Sequence, residues 1–221
     1  MSTLMFYKDP IPLDKEKHKA LKLKRANHYN FARDVNSVPV AGLEFFQCAR
    51  NHPVMFVKNA KDQFVPIALL SLTAKGHNLG EQWKDVYVPS FVRRYPFVLE
   101  ATRGVVMFDS ESGHMQEEEG EPLFDDAGEP TNTLKEIIQF LETVDHGYKL
   151  TEEYVQALVE KDLLEPFKGT IKFSDTSLKL DHLFVVDEIE IVSYADDSTL
   201  LVAVTSPRGW LPVAEILNRV L

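Results

Sequence analysis

Three features of the sequence predict an α+β fold, mostly antiparallel sheet with a central helical hairpin and a C-terminal helix. Short apolar runs recur between turn residues at 53–58, 64–72, 97–101 and 105–109, the pattern of short paired strands. Helix-period apolar spacing is concentrated at 131–165 and 212–221. No internal repeat, low-complexity tract or clear linker divides the 221 residues, so one domain over 1–221 is expected, long enough for a sizeable core.

The elements follow in order. Pro10 and Pro12 alternate with Ile11 and Leu13, which predicts an extended segment laid across a surface. Leu21-Lys-Leu-Lys alternates like a strand, and Tyr29 and Phe31 are expected to be buried. Residues 43–51 read as a short helix stopped by Asn51-His-Pro53. The run at 53–58 reads as a buried strand that forms a hairpin with 64–72 around a turn near residue 60, and Pro66 predicts an edge or a bulge. A second strand pair, 97–101 and 105–109, turns at Thr102-Arg-Gly104. An acidic loop, 109–130, is anchored by Leu123 and Phe124.

Next, Leu134, Ile137, Ile138, Leu141 and Val144 define a helix capped by Thr131 or Thr133 and closed by Gly147, with His146 at its end. A second helix opens at Thr151, buries Tyr154, Val155 and Leu158, and ends at Glu165-Pro166. Strands are predicted at 170–173 and 183–186, a strand or helix at 200–204, and a helix at 212–221.

The net charge of −10 argues against generic nucleic-acid binding. The charge is uneven: residues 1–33 carry eight Lys/Arg against three Asp/Glu, and 109–130 carry nine Asp/Glu and no Lys or Arg. These are either two solvated faces or an acidic loop lying near a basic surface, its own or a partner's. No apolar run is long enough for a membrane span, and the N-terminus lacks the basic-then-apolar order of a secretory signal. Cys48 stands alone, which excludes an intramolecular disulfide and fits a buried thiol in a cytoplasmic protein.

Strong catalytic and cofactor motifs are missing: there is no Gly-rich phosphate loop, no G-x-S-x-G elbow and no H-E-x-x-H helix. Cys48 and His52 have helical spacing, but their stripe is apolar, so core packing explains them better than a nucleophile. Glu117-Glu-Glu119 lacks the ligand spacing of a calcium loop. No metal or cofactor is therefore expected. His77, in a Gly-flanked loop ahead of Trp83, is the histidine singled out for a functional role.

The densest stretch is Tyr87-Val-Pro-Ser-Phe-Val-Arg-Arg-Tyr-Pro-Phe97. Pro89 and Pro96 bracket about two helical turns at most, with Ser90 at the start. Arg93 and Arg94 then point about 100° apart, so one can pack against Phe91 or Tyr95 while the other faces a cleft or solvent. A guanidinium held this way suits bidentate recognition of carboxylate or phosphate; the alternative is a fold signature in which an arginine pairs internally with one of the chain's own acids.

This stretch resembles a signature of the bacterial SapC-like family, named after a surface-layer-associated protein and distinct from the similarly named peptide-transport permease. Val38-Pro-Val, Pro53-Val-Met-Phe-Val-Lys58, Pro66-Ile-Ala-Leu-Leu70, the segment 120–130 and Leu163-Leu-Glu-Pro166 are also similar, in order and spacing. The resemblance covers nearly the whole chain and is looser in the C-terminal third, where it implies helices near 196–205 and 212–220. It carries over no catalytic residues. It implies an accessory protein of Gram-negative bacteria, encoded beside outer-membrane receptors and flavin-dependent halogenase-like proteins, with a role in surface-layer biogenesis, uptake or peptide handling.

The expected function is a non-enzymatic interaction protein in which Arg93 and Arg94, with Trp83, Tyr87, Tyr95 and His77, hold a protein or peptide carboxylate. The alternative is an enzyme on a small amino-acid or peptide substrate, with a loop histidine such as His77 as acid/base. Expected partners are a protein or peptide and a second copy of the chain in a homodimer; nucleic acid and an integral membrane segment are not expected.

Overall fold

The computed structural model describes residues 4–25, 28–73, 76–100, 102–172, 177–180 and 182–186. The expectations for 187–221, including the strand or helix at 200–204 and the C-terminal helix, lie outside the described residues.

In chain order the strands are β1 (Pro10–Pro12), β2 (Lys22–Leu23), β3 (Ser37–Pro39), β4 (Val54–Lys58), β5 (Phe64–Leu69), β6 (Phe97–Glu100), β7 (Val105–Asp109), β8 (Met115–Gln116), β9 (Glu121–Pro122), β10 (Leu164–Pro166), β11 (Thr170–Lys172), β12 (Ser177–Lys179) and β13 (Phe184–Val186). The α-helices are α1 (Phe45–Cys48), α2 (Ser90–Arg93) and α3 (Asn132–Glu160), with 3-10 turns at Asn30–Ala32 and Gly42–Glu44. Among the described residues every strand pairing is antiparallel, so the class is α+β. The largest sheet has the order β10-β13-β4-β5-β3; a second has β1-β7-β6 and a small third has β8-β2-β9.

The apolar run in β4 is explained by burial on both faces. Val54 and Phe56 enter one core with Phe45, Phe91 and Val155, while Met55 enters another with Ile67, Leu183 and Val185. Successive strand residues point to opposite faces, so both sets must be apolar. Pro66 corrects one expectation: it lies in β5, an interior strand of the sheet. Its missing N–H is accommodated because β3 stops at Pro39, opposite Ile67, and beyond that point the Pro66 carbonyl accepts from the Val40 N–H at 3.2 Å.

The helical hairpin is also corrected. Residues 132–160 form one 29-residue helix, about 43 Å long. Thr131 is its N-cap, its hydroxyl accepting from Leu134 N. Gly147 is buried in mid-helix, where a Cβ would meet Ala41 Cβ at 3.4 Å and Leu43 Cδ1 at 3.6 Å. Thr151 Oγ1 accepts from Gly42 N at 2.8 Å and donates to the Gly147 carbonyl. These small and polar residues mark where the 42–44 turn packs across the helix. His146, expected at a helix end, is exposed inside α3. The N-terminal half of α3 buries Leu134 and Leu141 with Phe97, Phe108 and Leu123. The C-terminal half buries Val155 and Leu158 with Phe45 and Phe56. One helix thus joins two cores.

The acidic loop lies on the chain's own basic segment. β8 and β9 flank β2, Lys24 pairs with Glu119 at 3.0 Å and Arg25 with Glu121 at 3.0 Å. Gly120 has φ +123°, and a Cβ there would stand 2.6 Å from the Leu23 carbonyl oxygen, so only glycine allows this approach. Leu123 and Phe124 are buried beneath it. Among the described residues no helix is long and apolar enough to cross a membrane.

Candidate functional site

The proline-bracketed stretch forms a short pedestal. Pro89 is the N-cap of α2, and Tyr95–Pro96 is a cis peptide leading into β6. His52 ties α1 to it, its Nε2 hydrogen-bonded to the Tyr87 carbonyl at 2.8 Å. Burial holds the His52 pKa below the ordinary histidine value, against the opposing effect of that bond. Cys48 is fully buried beside it; burial first, and then the Glu44 charge, push the thiol up to about 12, so it is an unreactive core residue at neutral pH.

Glu44 is the hub of the pedestal. This buried carboxylate accepts from Tyr87 Oη at 2.6 Å, Ser90 N at 2.7 Å and the Ser90 hydroxyl, and pairs with Arg93 Nη2 at 3.3 Å. It draws together three residues distant in sequence from it. Burial, then the bond to Glu44, push the Tyr87 pKa up, so its hydroxyl stays a donor.

The two arginines diverge as the 100° step requires. Arg94 is 6% exposed, lies 4.3 Å over the Phe91 ring and is hydrogen-bonded to the Tyr7 phenol, whose pKa burial raises to about 12. Arg93 has 41% of its side chain exposed. Its Nε donates to the Val88 carbonyl at 2.9 Å and its Nη2 to Glu44 and to Tyr87 Oη. Its guanidinium lies over Tyr87 at 5.8 Å and Phe140 at 5.3 Å. Among the described residues Nη1 has no hydrogen-bond acceptor. The guanidinium is therefore fixed on one edge with donors left on the other.

Arg93, Arg94 and Tyr95 all line a cleft of about 430 Å³. Arg25, His28 and Phe31 reach it from the N-terminal segment, His114 from the acidic loop, and Phe140 from α3. Phe31 stacks on Tyr95 at 4.1 Å between centroids, and His114 stands edge-on to both, 5.5 Å from Tyr95 and 6.4 Å from Phe31. Tyr95 is fixed from behind: its hydroxyl donates to Asp109 Oδ2 at 2.8 Å. Burial opposes ionisation of Asp109, but bonds from Asp9 N, Tyr95 Oη and Lys8 N outweigh it and lower its pKa. His114 is pulled below the ordinary histidine value by burial and by His28, with Asp109 opposing.

The remaining predicted residues stand outside this lining. Tyr87 supports Arg93 from behind. Trp83 and His77 pack against each other at 4.8 Å; Trp83 is buried, with φ +46°, and reaches the cleft only through Tyr29 at 5.8 Å. Burial lowers the His77 pKa. His28, His114, Arg25 and Glu44 were not singled out from sequence. For Arg25, His28 and His114 the signal was the charge asymmetry between 1–33 and 109–130, which places a basic segment against the acidic loop that carries His114; the sequence carried no signal for Glu44.

A family model described as SapC matches residues 13–213. The chain belongs to the SapC family. No curated protein and no solved structure matches it.

Proposed function

We propose that this protein is a non-enzymatic accessory protein that recognises a carboxylate of a peptide or protein partner in the Arg93 cleft. Arg93 carries the reading: its guanidinium is immobilised by Val88, Glu44, Tyr87 and Phe140, yet Nη1 is left to a ligand. A pre-fixed planar donor loses little entropy on binding a carboxylate. The volume of the cleft, about 430 Å³, fits a terminal residue or short side chain. Family membership supports a setting in surface-layer biogenesis, uptake or peptide handling, with a cytoplasmic location and a homodimer as further parts of the proposal.

The test is affinity capture from the native cell with the wild-type chain and Arg93→Glu, matched for melting temperature. Partner recovery is expected to fall at least tenfold in the variant. Equal recovery would refute the reading. Arg94→Glu is unsuitable as the primary variant, because it buries a reversed charge.

A second reading, an enzyme on a small amino-acid or peptide substrate, is favoured by one observation: His114 stands in the cleft with its pKa lowered, as a neutral base needs. Its loop histidine is then His114, not His77. Turnover of a peptide mixture, followed by mass spectrometry and abolished by His114→Asn, would establish it; absence of turnover excludes it for those substrates.

A further inference from the structure

We infer that the cleft selects an aromatic residue bearing a free carboxylate, as at the C-terminus of a peptide ending in Phe, Tyr or Trp. This rests on the carboxylate reading above and adds the side chain that accompanies the acid.

The cleft is walled by rings. Phe31 and Tyr95 form a stacked pair, and His114 lies edge-on to both. His28 continues the array, 6.3 Å from His114 at an interplanar angle of 78°. From α3 comes a second wall in which Phe140 carries the Arg93 guanidinium at 5.3 Å. A flat group entering here meets ring faces and ring edges together, the arrangement that aromatic quadrupoles favour. An aliphatic side chain of similar size gains the burial but not the ring–ring attraction.

The array is rigid as well as aromatic. Tyr95 is anchored by its bond to Asp109, which is itself held by Lys8 N and Asp9 N. The walls are thus formed before a ligand arrives, so ring complementarity is expressed as affinity. The acid and the ring are recognised by adjoining groups, because Phe140 lines the ring-walled cleft and bears the guanidinium. A carboxylate on Arg93 Nη1 places the side chain of the same residue beside Phe140.

The test is calorimetric titration of the full chain with three N-acetylated peptides: Ac-Gly-Ser-Gly-Phe-OH, its C-terminal amide, and Ac-Gly-Ser-Gly-Leu-OH. The Phe acid is expected to bind at least fivefold more tightly than the Leu acid, about the middle of the range for one ring contact, and at least tenfold more tightly than the amide. Phe140→Leu, a swap tolerated by a helix, is expected to narrow the Phe/Leu ratio and, because Phe140 also bears the Arg93 guanidinium, to lower the acid/amide ratio with it. Phe31→Leu, on the other wall and against Tyr95, is expected to narrow the Phe/Leu ratio while leaving the acid/amide ratio, and a melting curve checks that either variant is folded. Equal affinity for the Phe and Leu acids, with the amide still weak, overturns the aromatic selection and leaves the carboxylate reading standing. Equal affinity for acid and amide, or no binding of any peptide, overturns both.

Discussion

At the scale of single residues, the histidines sort by burial. His52, His77 and His114 each have a pKa held below 6.5, with burial the largest cause. The folded state therefore binds fewer protons than the unfolded chain once the pH falls below about 6.5, the ordinary histidine value. Stability rises with pH wherever the unfolded state binds more protons. It is thus full above the unfolded value and lost progressively as the pH falls toward the folded values. Melting temperature is expected to drop from pH 7.5 to 5.5, in a range where ordinary carboxylates stay ionised; a flat profile would contradict the neutral buried imidazoles. For the proposed carboxylate ligand the same linkage predicts that an anion beside His114 favours its protonation, so that binding is expected to tighten as the pH falls. Which arginine is buried was legible only in part. A helical step separates Arg93 from Arg94, but Tyr7 and Glu44, which decide their fates, are distant in sequence.

At the scale of elements, α3 is the instructive case. Gly147 and Thr151 read locally as a stop and a start, since glycine favours a helix end and threonine a cap. The apolar and small residues nevertheless keep helix spacing through the break: Leu141, Val144, Gly147, Thr151, Val155 and Leu158 are all buried. The turn Gly42–Glu44 packs there and takes the place of bulky side chains. Because Gly147 is in mid-helix and not in a left-handed cap, Gly147→Ala is expected to stabilise the protein by about 0.5–1 kcal/mol. An added methyl would make ordinary contact with Ala41. Urea titration distinguishes the cases: destabilisation would indicate that the contact with Ala41 and Leu43 is too tight for a methyl.

At the scale of the whole molecule, the basic N-terminal segment and the acidic loop form one unit. Their ion pairs are exposed: the Lys24 and Glu119 side chains are 57% and 73% accessible. Such pairs contribute about 0–1 kcal/mol and weaken in salt. Leu123 and Phe124 hold the loop by burial against Leu23 and Phe108. Leu123→Ala is therefore expected to cost about 2–5 kcal/mol, whereas Lys24→Gln changes stability by less than about 1 kcal/mol. Denaturant midpoints of the two variants check this order; a larger effect for Lys24→Gln would mean that charge, not burial, seats the loop. The cleft depends on this seating, since His114 and His28 reach it from the two partners.

What the sequence determined by itself was local: the antiparallel α+β class, the hairpin of 54–69, the proline-bracketed pedestal, the family, and the presence of an arginine fixed among rings. The family is carried by motifs kept in order along nearly the whole chain; the others are set by steric constraints and apolar periodicity that no distant contact needs to supply. Only the tertiary structure decided that α3 runs unbroken, that Pro66 sits in an interior strand, that Glu44 organises Arg93, and that His28 and His114 share its cleft while Trp83 and His77 lie behind it. These depend on burial and on pairings across tens of residues, where packing overrides the local preferences of glycine, threonine and proline.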